Sequence, residues 1–273
     1  YHTKVKNIHL STQRVYADLD ELVTHVDSLG GIVIPAHAFT PHKSVYGACV
    51  DRLSSVIDVN RFAAIELGLS SDSNLADGIQ ELSSLTFVTN SDAHSVGKIA
   101  REYQDLRVQR PDFSELCLAL RRRDGRGVRT NYGLHPQLGK YYRTRCTNCE
   151  ELIAQSDALR CPHCGKEGKK VITRGVYERF LQISTQAAGT HPAHRPPYRY
   201  HIPLEFVPGL GPGRMQRLLN AFGTEMRILH HATVEQLANV VGTAVAENID
   251  RSRRGEVMFL EGGAGIYGKI ALE

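Results

Sequence analysis

Four cysteines carry the most specific chemical signal in the chain. Cys146-Thr147-Asn148-Cys149 and Cys161-Pro162-His163-Cys164-Gly165 are two Cys-x-x-Cys turns. Each turn can place two thiolates on one ion, and two turns complete a tetrahedral site. A redox dithiol is the other use of such a turn, but one redox pair does not need a copy a few residues later. The spacing predicts a structural zinc held by Cys146, Cys149, Cys161 and Cys164. His163 stays outside the ligand set, because four thiolates saturate zinc. Pro162 and Gly165 suit a tight knuckle. Cys49 and Cys117 stand singly, and the whole pattern fits a reducing cytosol, hence a cytoplasmic protein.

A second set lies where strands are expected to end. His37 closes Ile34-Pro35-Ala36-His37, and Asp92 and His94 close Asn90-Ser91-Asp92-Ala93-His94. Groups at the carboxyl ends of parallel strands face the ligand site. Imidazole and carboxylate bind metals such as zinc, manganese or iron, which activate water or bind phosphate. Glu66, ending a third strand, is a weaker member of the set. The plain alternative is a hydrogen-bonded structural histidine and a chance Asp-x-His, which spacing alone does not separate.

The elements that would hold these residues alternate. Residues 18–29 read as an amphipathic helix with Leu19, Leu22, Val23, Val26 and Leu29 on one face, ended by Gly30-Gly31. Strand 32–37, helix 48–57, strand 63–67, helix 75–82, strand 85–90, strand 106–108 and helix 113–122 follow. Short apolar strands alternating with helices imply an α/β fold with a largely parallel sheet or barrel. Residues 121–129 and 131–145 break this rhythm. A helix is expected near 174–186, then an extended connector through His191-Pro192-Ala193-His194-Arg195-Pro196-Pro197-Tyr198-Arg199-Tyr200 without regular structure. From Pro203 the pattern is helical, ending in a glycine-rich hairpin at 257–271.

Within that last region, Pro208-Gly209-Leu210-Gly211-Pro212-Gly213-Arg214 resembles a helix-hairpin-helix element. Gly209 and Gly211 permit a tight turn that brings backbone N–H groups to a phosphate. The helix that starts near Pro212 adds its positive end. Arg214 and Arg217 share one side of it, and Leu218, Leu219 and Phe222 face inward. Residues 232–249 look like a degenerate second copy, with Thr233 as N-cap. A small helical domain that uses these glycines only for packing is the alternative.

Charge and composition narrow the function classes. The chain has 273 residues, 41% hydrophobic, with a formal net charge of +4. That is enough apolar content for a core, and the length predicts about two domains. No apolar run approaches the ~20 residues of a membrane span, so no membrane partner is expected. The N-terminal Tyr1-His2-Thr3-Lys4 lacks both an initiator Met and an apolar leader, so the chain reads as a fragment without a signal peptide. Residues 101–200 hold 19 basic against 10 acidic residues, whereas residues 1–100 hold 7 against 11. The basic middle predicts an anion-binding surface around the cysteines, through Arg143, Arg145, Arg160, Lys166, Lys169 and Lys170, though a solvated charged face would look the same.

The strand-end motifs, with the continuation Phe39-Thr40-Pro41-His42-Lys43-Ser44-Val45-Tyr46-Gly47, resemble the later metal motifs of the PHP (polymerase and histidinol phosphatase) superfamily. Together with the cysteine element and the glycine hairpin, they resemble its endonuclease Q family. The resemblance runs over nearly the whole chain. It implies a partial, distorted (β/α)7 barrel over residues 1–130, a basic zinc-binding element over 131–190 and a helix-hairpin-helix-like DNA-binding domain over 191–273. It also implies a DNA repair endonuclease. The enzyme would hydrolyse the phosphodiester 5′ of deaminated bases (uracil, hypoxanthine, xanthine) or abasic sites, using two or three divalent metals (zinc, manganese or magnesium). His37, Asp92 and His94 would be ligands, and Glu66 matches no assigned ligand position. The lesion base would leave the stack to be read. Lys43, Arg101, Lys140, Tyr141, Tyr142, Arg143, Gly209, Gly211, Gly213 and Arg214 form the expected DNA-facing set, with at least one of the two tyrosines expected in the core. The family's opening His-x-His motif is absent, so the resemblance has the chain begin inside the barrel with an incomplete metal cluster. Two other readings stay open: a PHP phosphatase acting on a small phosphoester, which would need neither zinc element nor hairpin, and a non-catalytic DNA-binding fragment.

Overall fold

The computed structural model describes residues 5–7, 9, 10, 15–154, 159–168 and 170–271. Lys169 and His2 therefore lie outside the described residues. Helix α1 (Leu19–Ser28) begins where Asp18 caps it, its carboxylate accepting from the Asp20 N–H at 2.9 Å. Of its expected apolar face, Val23 is fully buried, whereas Leu29 is exposed beyond the helix end.

Strands β1 (Ile65–Glu66) and β2 (Phe87–Val88) are parallel neighbours, with Glu66 opposite Val88. The expected strand at 32–37 does not form a regular ladder. Its Val33 and Pro35 carbonyls accept from the Ala63 and Glu66 N–H groups, both at 3.0 Å, so it runs beside β1. Pro35 has no N–H to return, which interrupts the pairing. The expected helix at 48–57 is also replaced, by a π-helical turn (Val45–Cys49) and a 3-10 turn (Leu53–Ser55). A Cβ at Gly47 would sit 1.9 Å from the Thr40 carbonyl oxygen, so this position must be glycine for the chain to pack here. Helix 75–82 resolves into α2 (Ser73–Ala76) and a 3-10 turn (Gln80–Leu82).

Beyond β2, strand β3 (Tyr103–Arg107) precedes α3 (Phe113–Leu120), which Asp112 caps. Strand β4 (Gly127–Leu134) pairs antiparallel with β3. It runs across position 130, where a domain boundary is expected from sequence. Strands β5 (Arg145–Cys146) and β6 (Ile172–Thr173) close the cysteine segment as an antiparallel pair. Helix α4 (Val176–Ile183) then returns Val176, Phe180 and Ile183 to the main core, beside Phe39 and Phe87.

The proline-rich connector is more ordered than expected. Its last residues form β7 (Tyr198–His201), parallel to Asn131–Leu134 of β4. The Arg195 side chain is buried, and its guanidinium lies 3.3 Å from the Phe87 ring centroid and bonds both carboxylate oxygens of buried Asp77. His191 Nδ1 meets the same carboxylate at 2.6 Å. A cation inside a core must be paired, and this pairing anchors the connector.

The C-terminal helices have their own core, around Leu204, Leu218, Ile228, Leu237 and Ile249. They are α5 (Pro212–Phe222), α6 (Glu225–His230), α7 (Val234–Val241) and α8 (Thr243–Arg254). Thr233 caps α7 through a reciprocal box with Gln236. The helical unit meets the β3–β4–β7 sheet through rings: Tyr103 Oη lies 3.2 Å from His230 Nε2, and the His201 and His230 rings stack at 5.8 Å. Strands β8 (Met258–Leu260) and β9 (Lys269–Ala271) make the expected terminal hairpin. Among the described residues no helix is long and apolar enough to cross a membrane.

Candidate functional site

The four cysteines converge. Their sulfur atoms all lie within 4.8 Å of one another, with Cys146 and Cys164 at 3.8 Å and Cys149 and Cys161 at 3.6 Å. A tetrahedron with metal–sulfur bonds of ~2.3 Å has edges of ~3.8 Å, so the donor set has the size of a zinc site. The two knuckles share one backbone design. The Glu150 N–H bonds the Cys146 carbonyl and the Gly165 N–H bonds the Cys161 carbonyl, each at 3.0 Å. The fourth residue past each first cysteine is left-handed, at φ 60 for Glu150 and φ 72 for Gly165. Glycine takes that conformation freely and glutamate does not. The Asn148 N–H points at Cys146 Sγ at 3.4 Å. A backbone N–H from Lys166 holds the Cys164 thiol down, while the Cys149 thiol, against a Glu151 N–H, is pushed up by burial and the adjacent sulfurs, as expected where thiols crowd one ion-sized space. The His163 ring turns away, with Nε2 3.2 Å from the Leu152 carbonyl.

A different construction brings His37, Glu66 and Asp92 to one rim. The chain leaves its strand-like run at His37 and leaves β2 shortly before Asp92, and both residues are left-handed, at φ 35 and φ 43. Non-glycine residues in this region are strained, and such strain collects at functional sites. Glu66 holds the first turn: one carboxylate oxygen accepts from the His37 N–H, the other from the Gly68 N–H at 2.7 Å. A Cβ at Gly68 would sit 3.1 Å from the His37 Cα, and its φ of 77 suits glycine, so residue 68 must be small for this approach. Burial pushes the Glu66 carboxyl above its ordinary value, the two N–H donors oppose this, and nearby Asp92 adds to the rise. Both oxygens are thereby engaged by backbone, which makes Glu66 a residue that positions His37. His94 is 86% exposed, its Nδ1 2.9 Å from the Asp92 carbonyl. Among the described residues only the cysteines close into a group of three or more metal-sized donors; His37, Asp92 and His94 share a rim without doing so.

Behind the rim lies a carboxylate with no counterpart in the sequence reading. Glu102 is 2% exposed; its Oε1 accepts from the Leu134 N–H at 2.7 Å and its Oε2 has no partner. Burial holds its carboxyl well above the ordinary value, against the Leu134 donor, and Glu66 adds to the effect. Tyr198, partly buried and with its hydroxyl pushed up by burial, lies close by, since a Cβ at Gly133 would touch both its hydroxyl and Glu102. The Tyr198-Arg199-Tyr200-His201 alternation is a period-two strand signal that could have flagged Tyr198. Nothing local marks Glu102.

The expected DNA-facing residues divide. Lys43 is exposed, at φ 53. Lys140 Nζ lies over the Tyr141 ring at 5.2 Å, and Tyr141 packs edge-on to His42. Tyr142 is buried at 8% exposure, so the core tyrosine of the pair is this one. Arg143 is also turned inward, a correction to its expected contact role. Its Nε bonds Glu178 at 2.6 Å and its Nη1 bonds Glu261, which commits its charge inside the fold. Arg101 bonds the Ser91 carbonyl at 2.8 Å and the Tyr267 hydroxyl at 3.0 Å.

The glycine hairpin keeps its open side to solvent. Gly209 has φ 81, Gly211 is the N-cap of α5, and a Cβ at Gly211 or Gly213 would meet nothing within 4 Å. Arg214 is exposed and closes the turn on the Gly209 carbonyl at 2.7 Å. The α7–Gly242–α8 turn sits against it: Asn248 Nδ2 bonds the Pro208 carbonyl at 3.2 Å, and a Cβ on Gly209 would meet Val245 at 3.4 Å.

No family model matches the sequence. The chain is 48% identical over 268 residues to an uncharacterized protein of Bacillus subtilis (strain 168), covering 98% of this chain and 68% of that protein. An uncharacterized protein of Methanocaldococcus jannaschii is 32% identical over 260 residues, covering 87% of this chain and 32% of that protein. Among solved structures, the lesion-specific endonuclease PfuEndoQ from Pyrococcus furiosus matches with a TM-score of 0.81 at 32% identity, over 94% of this chain and 66% of that one. Endonuclease Q in complex with a 27-mer duplex substrate with an abasic lesion at the active site matches with a TM-score of 0.82 at 32% identity, over 95% and 68%. The chain thus spans about two thirds of the Bacillus protein and of the solved chains, and about a third of the Methanocaldococcus protein. On this identity and shared fold, the chain belongs to the endonuclease Q family.

Proposed function

We propose that the chain is part of a cytoplasmic DNA repair endonuclease that hydrolyses the phosphodiester 5′ of a deaminated base (uracil, hypoxanthine or xanthine) or of an abasic site. The observation that carries this is the pairing of two strained strand-end turns, at His37 and Asp92, on a rim whose counterpart fold belongs to a lesion-specific endonuclease. Residues 1–130 would be a section of a PHP-type barrel, 131–190 the zinc element and 191–273 the DNA-binding helical domain, with β4 and β7 joining them. His37, Asp92 and His94 offer the imidazole and carboxylate donors that two or three zinc, manganese or magnesium ions would take. Such ions, when bound, supply an activated water and stabilise the leaving oxygen.

The chain's own residues do the positioning. Glu66 fixes the His37 turn, and Arg101 fixes the Ser91 carbonyl one residue before Asp92. The adjacent hairpins at Gly209 and Gly242 would hold phosphates through backbone N–H groups, at an exposed helix start with Arg214 and Arg217 alongside. Lys43, Lys140 and Tyr141 would line the DNA path. A small-phosphoester phosphatase would have no use for these hairpins.

The test is a nicking assay with the full-length protein. Duplexes would carry one uracil, hypoxanthine or abasic site, with manganese or magnesium supplied. Nicks 5′ of the lesion that vanish with chelator are expected. Absence of nicks on all three lesions, with turnover of a small phosphomonoester instead, would replace this reading by the phosphatase.

A further inference from the structure

Directly after His94, residues 95–100 form a short loop around a 3-10 turn, Val96–Lys98. Its base is clamped at both ends. Arg101 bridges back to the Ser91 carbonyl at 2.8 Å and across to the Tyr267 hydroxyl of the terminal hairpin, and Lys98 pairs with Glu205 at the start of the helical region. On this clamped loop Val96 is 85% exposed and Ile99 is 66% exposed. A single exposed aliphatic side chain needs no explanation. Two of them, three residues apart on a turn fixed at several points beside the Asp92–His94 rim, call for an apolar surface to meet.

We propose that Val96 and Ile99 form a wedge that enters the base stack of duplex DNA beside the lesion and holds the vacated space open. This rests on the nuclease reading above. Branched aliphatic side chains inserted between base steps are a general means of unstacking and kinking a duplex. A base that must leave the stack is costly to extrude when paired and cheap when already unpaired. The occupant follows from placement. A solved member of this family holds a duplex with its lesion at the active site, and this loop lies between the candidate reacting rim and the helical region with its two hairpins. The fixed base gives the wedge stiffness, because a loose loop would fold away under the load of a closing stack.

The experiment compares the full-length protein with its Val96→Ser/Ile99→Ser double variant, with manganese supplied. One substrate is a fully paired duplex with a single uracil; the other has the same uracil inside an unpaired bubble. A 2-aminopurine opposite an abasic analogue reports unstacking with chelator present. The variant is expected to nick the paired duplex about tenfold or more slowly and to lose the 2-aminopurine signal. On the bubble its rate should stay within about threefold of wild type. Equal rates on the paired duplex overturn the wedge, and so does an equal loss on both substrates. A wild-type protein that nicks neither substrate overturns the nuclease reading itself, and the wedge with it.

Discussion

At the residue scale, strain separates the parts of the two sites. His37 and Asp92 hold left-handed turns without glycine, and each sits where a metal-binding side chain would be aimed off a strand end. Asp92→Asn keeps the backbone and the hydrogen-bonding shape while removing the charge. Nicking is expected to fall by more than the ~10–100-fold typical of losing a metal's outer partners, with an unchanged thermal melt. A lowered melting temperature would instead make Asp92 a structural residue. Glu150 carries the same conformation in the first knuckle, where the second knuckle uses Gly165. Glu150→Gly is therefore expected to stabilise the cysteine element by about 0.5–1 kcal/mol, read as slower zinc release to a chelator. Faster release would mean that the Glu150 side chain contributes more than its backbone costs.

At the element scale, the segment between β5 and β6 has only a small apolar cluster, Ile153 and Ile172 beside the cysteines. A metal must supply what so small a core cannot. About one zinc per chain is expected by elemental analysis. Cys161→Ser should lose it and expose the 146–172 segment to protease while the rest resists. Retained zinc would place the metal elsewhere. The connector is held by a buried ion pair, so Arg195→Ala leaves the buried Asp77 carboxylate without its guanidinium and with His191 as its remaining ring partner. A loss of about 3–5 kcal/mol in urea unfolding is expected, and a loss under 1 kcal/mol would show that water enters freely there. Elements of this kind mark the limit of what the sequence reveals. Helices α1, α3, α4 and α5 were legible, because each has a cap or an apolar period within its own residues. The cysteines were legible from spacing. Strand β7 was not, since its partner Asn131–Leu134 is some 67 residues upstream of Tyr198 and prolines obscure its start. The helix expected at 48–57 gives way because the Leu53 and Ser54 N–H groups donate to the Glu81 carboxylate instead of to carbonyls four residues back, a long-range partner that periodicity does not register. Glu102 and the inward turn of Arg143 depend on partners at Leu134, Glu178 and Glu261, far along the chain.

At the scale of the whole molecule, the helical domain docks on the sheet through titratable rings. Burial lowers His201 to about 4, with His230 adding to the shift. Burial also lowers His230, helped by His231 and Arg253. The unfolded chain takes up protons near pH 6.5 and the folded one resists until about 4, so stability is full above the unfolded value and falls as pH drops through that window. For His201 alone the loss at pH 5 is about 2 kcal/mol. Urea midpoints should fall between pH 7 and pH 5, and His201→Gln should flatten that slope. A variant as pH-sensitive as wild type would assign the effect to other groups.

The antiparallel closure of β5 on β6 has one more consequence. Arg145 and Thr173 are paired neighbours, so the excursion between them leaves and re-enters the protein at a single doorway. Such a segment is a removable cassette. A short turn joining the two residues would delete the whole cysteine centre while α4 keeps its seat in the main core. The cassette could then be swapped between relatives, as one exchanges a tool head on a common handle.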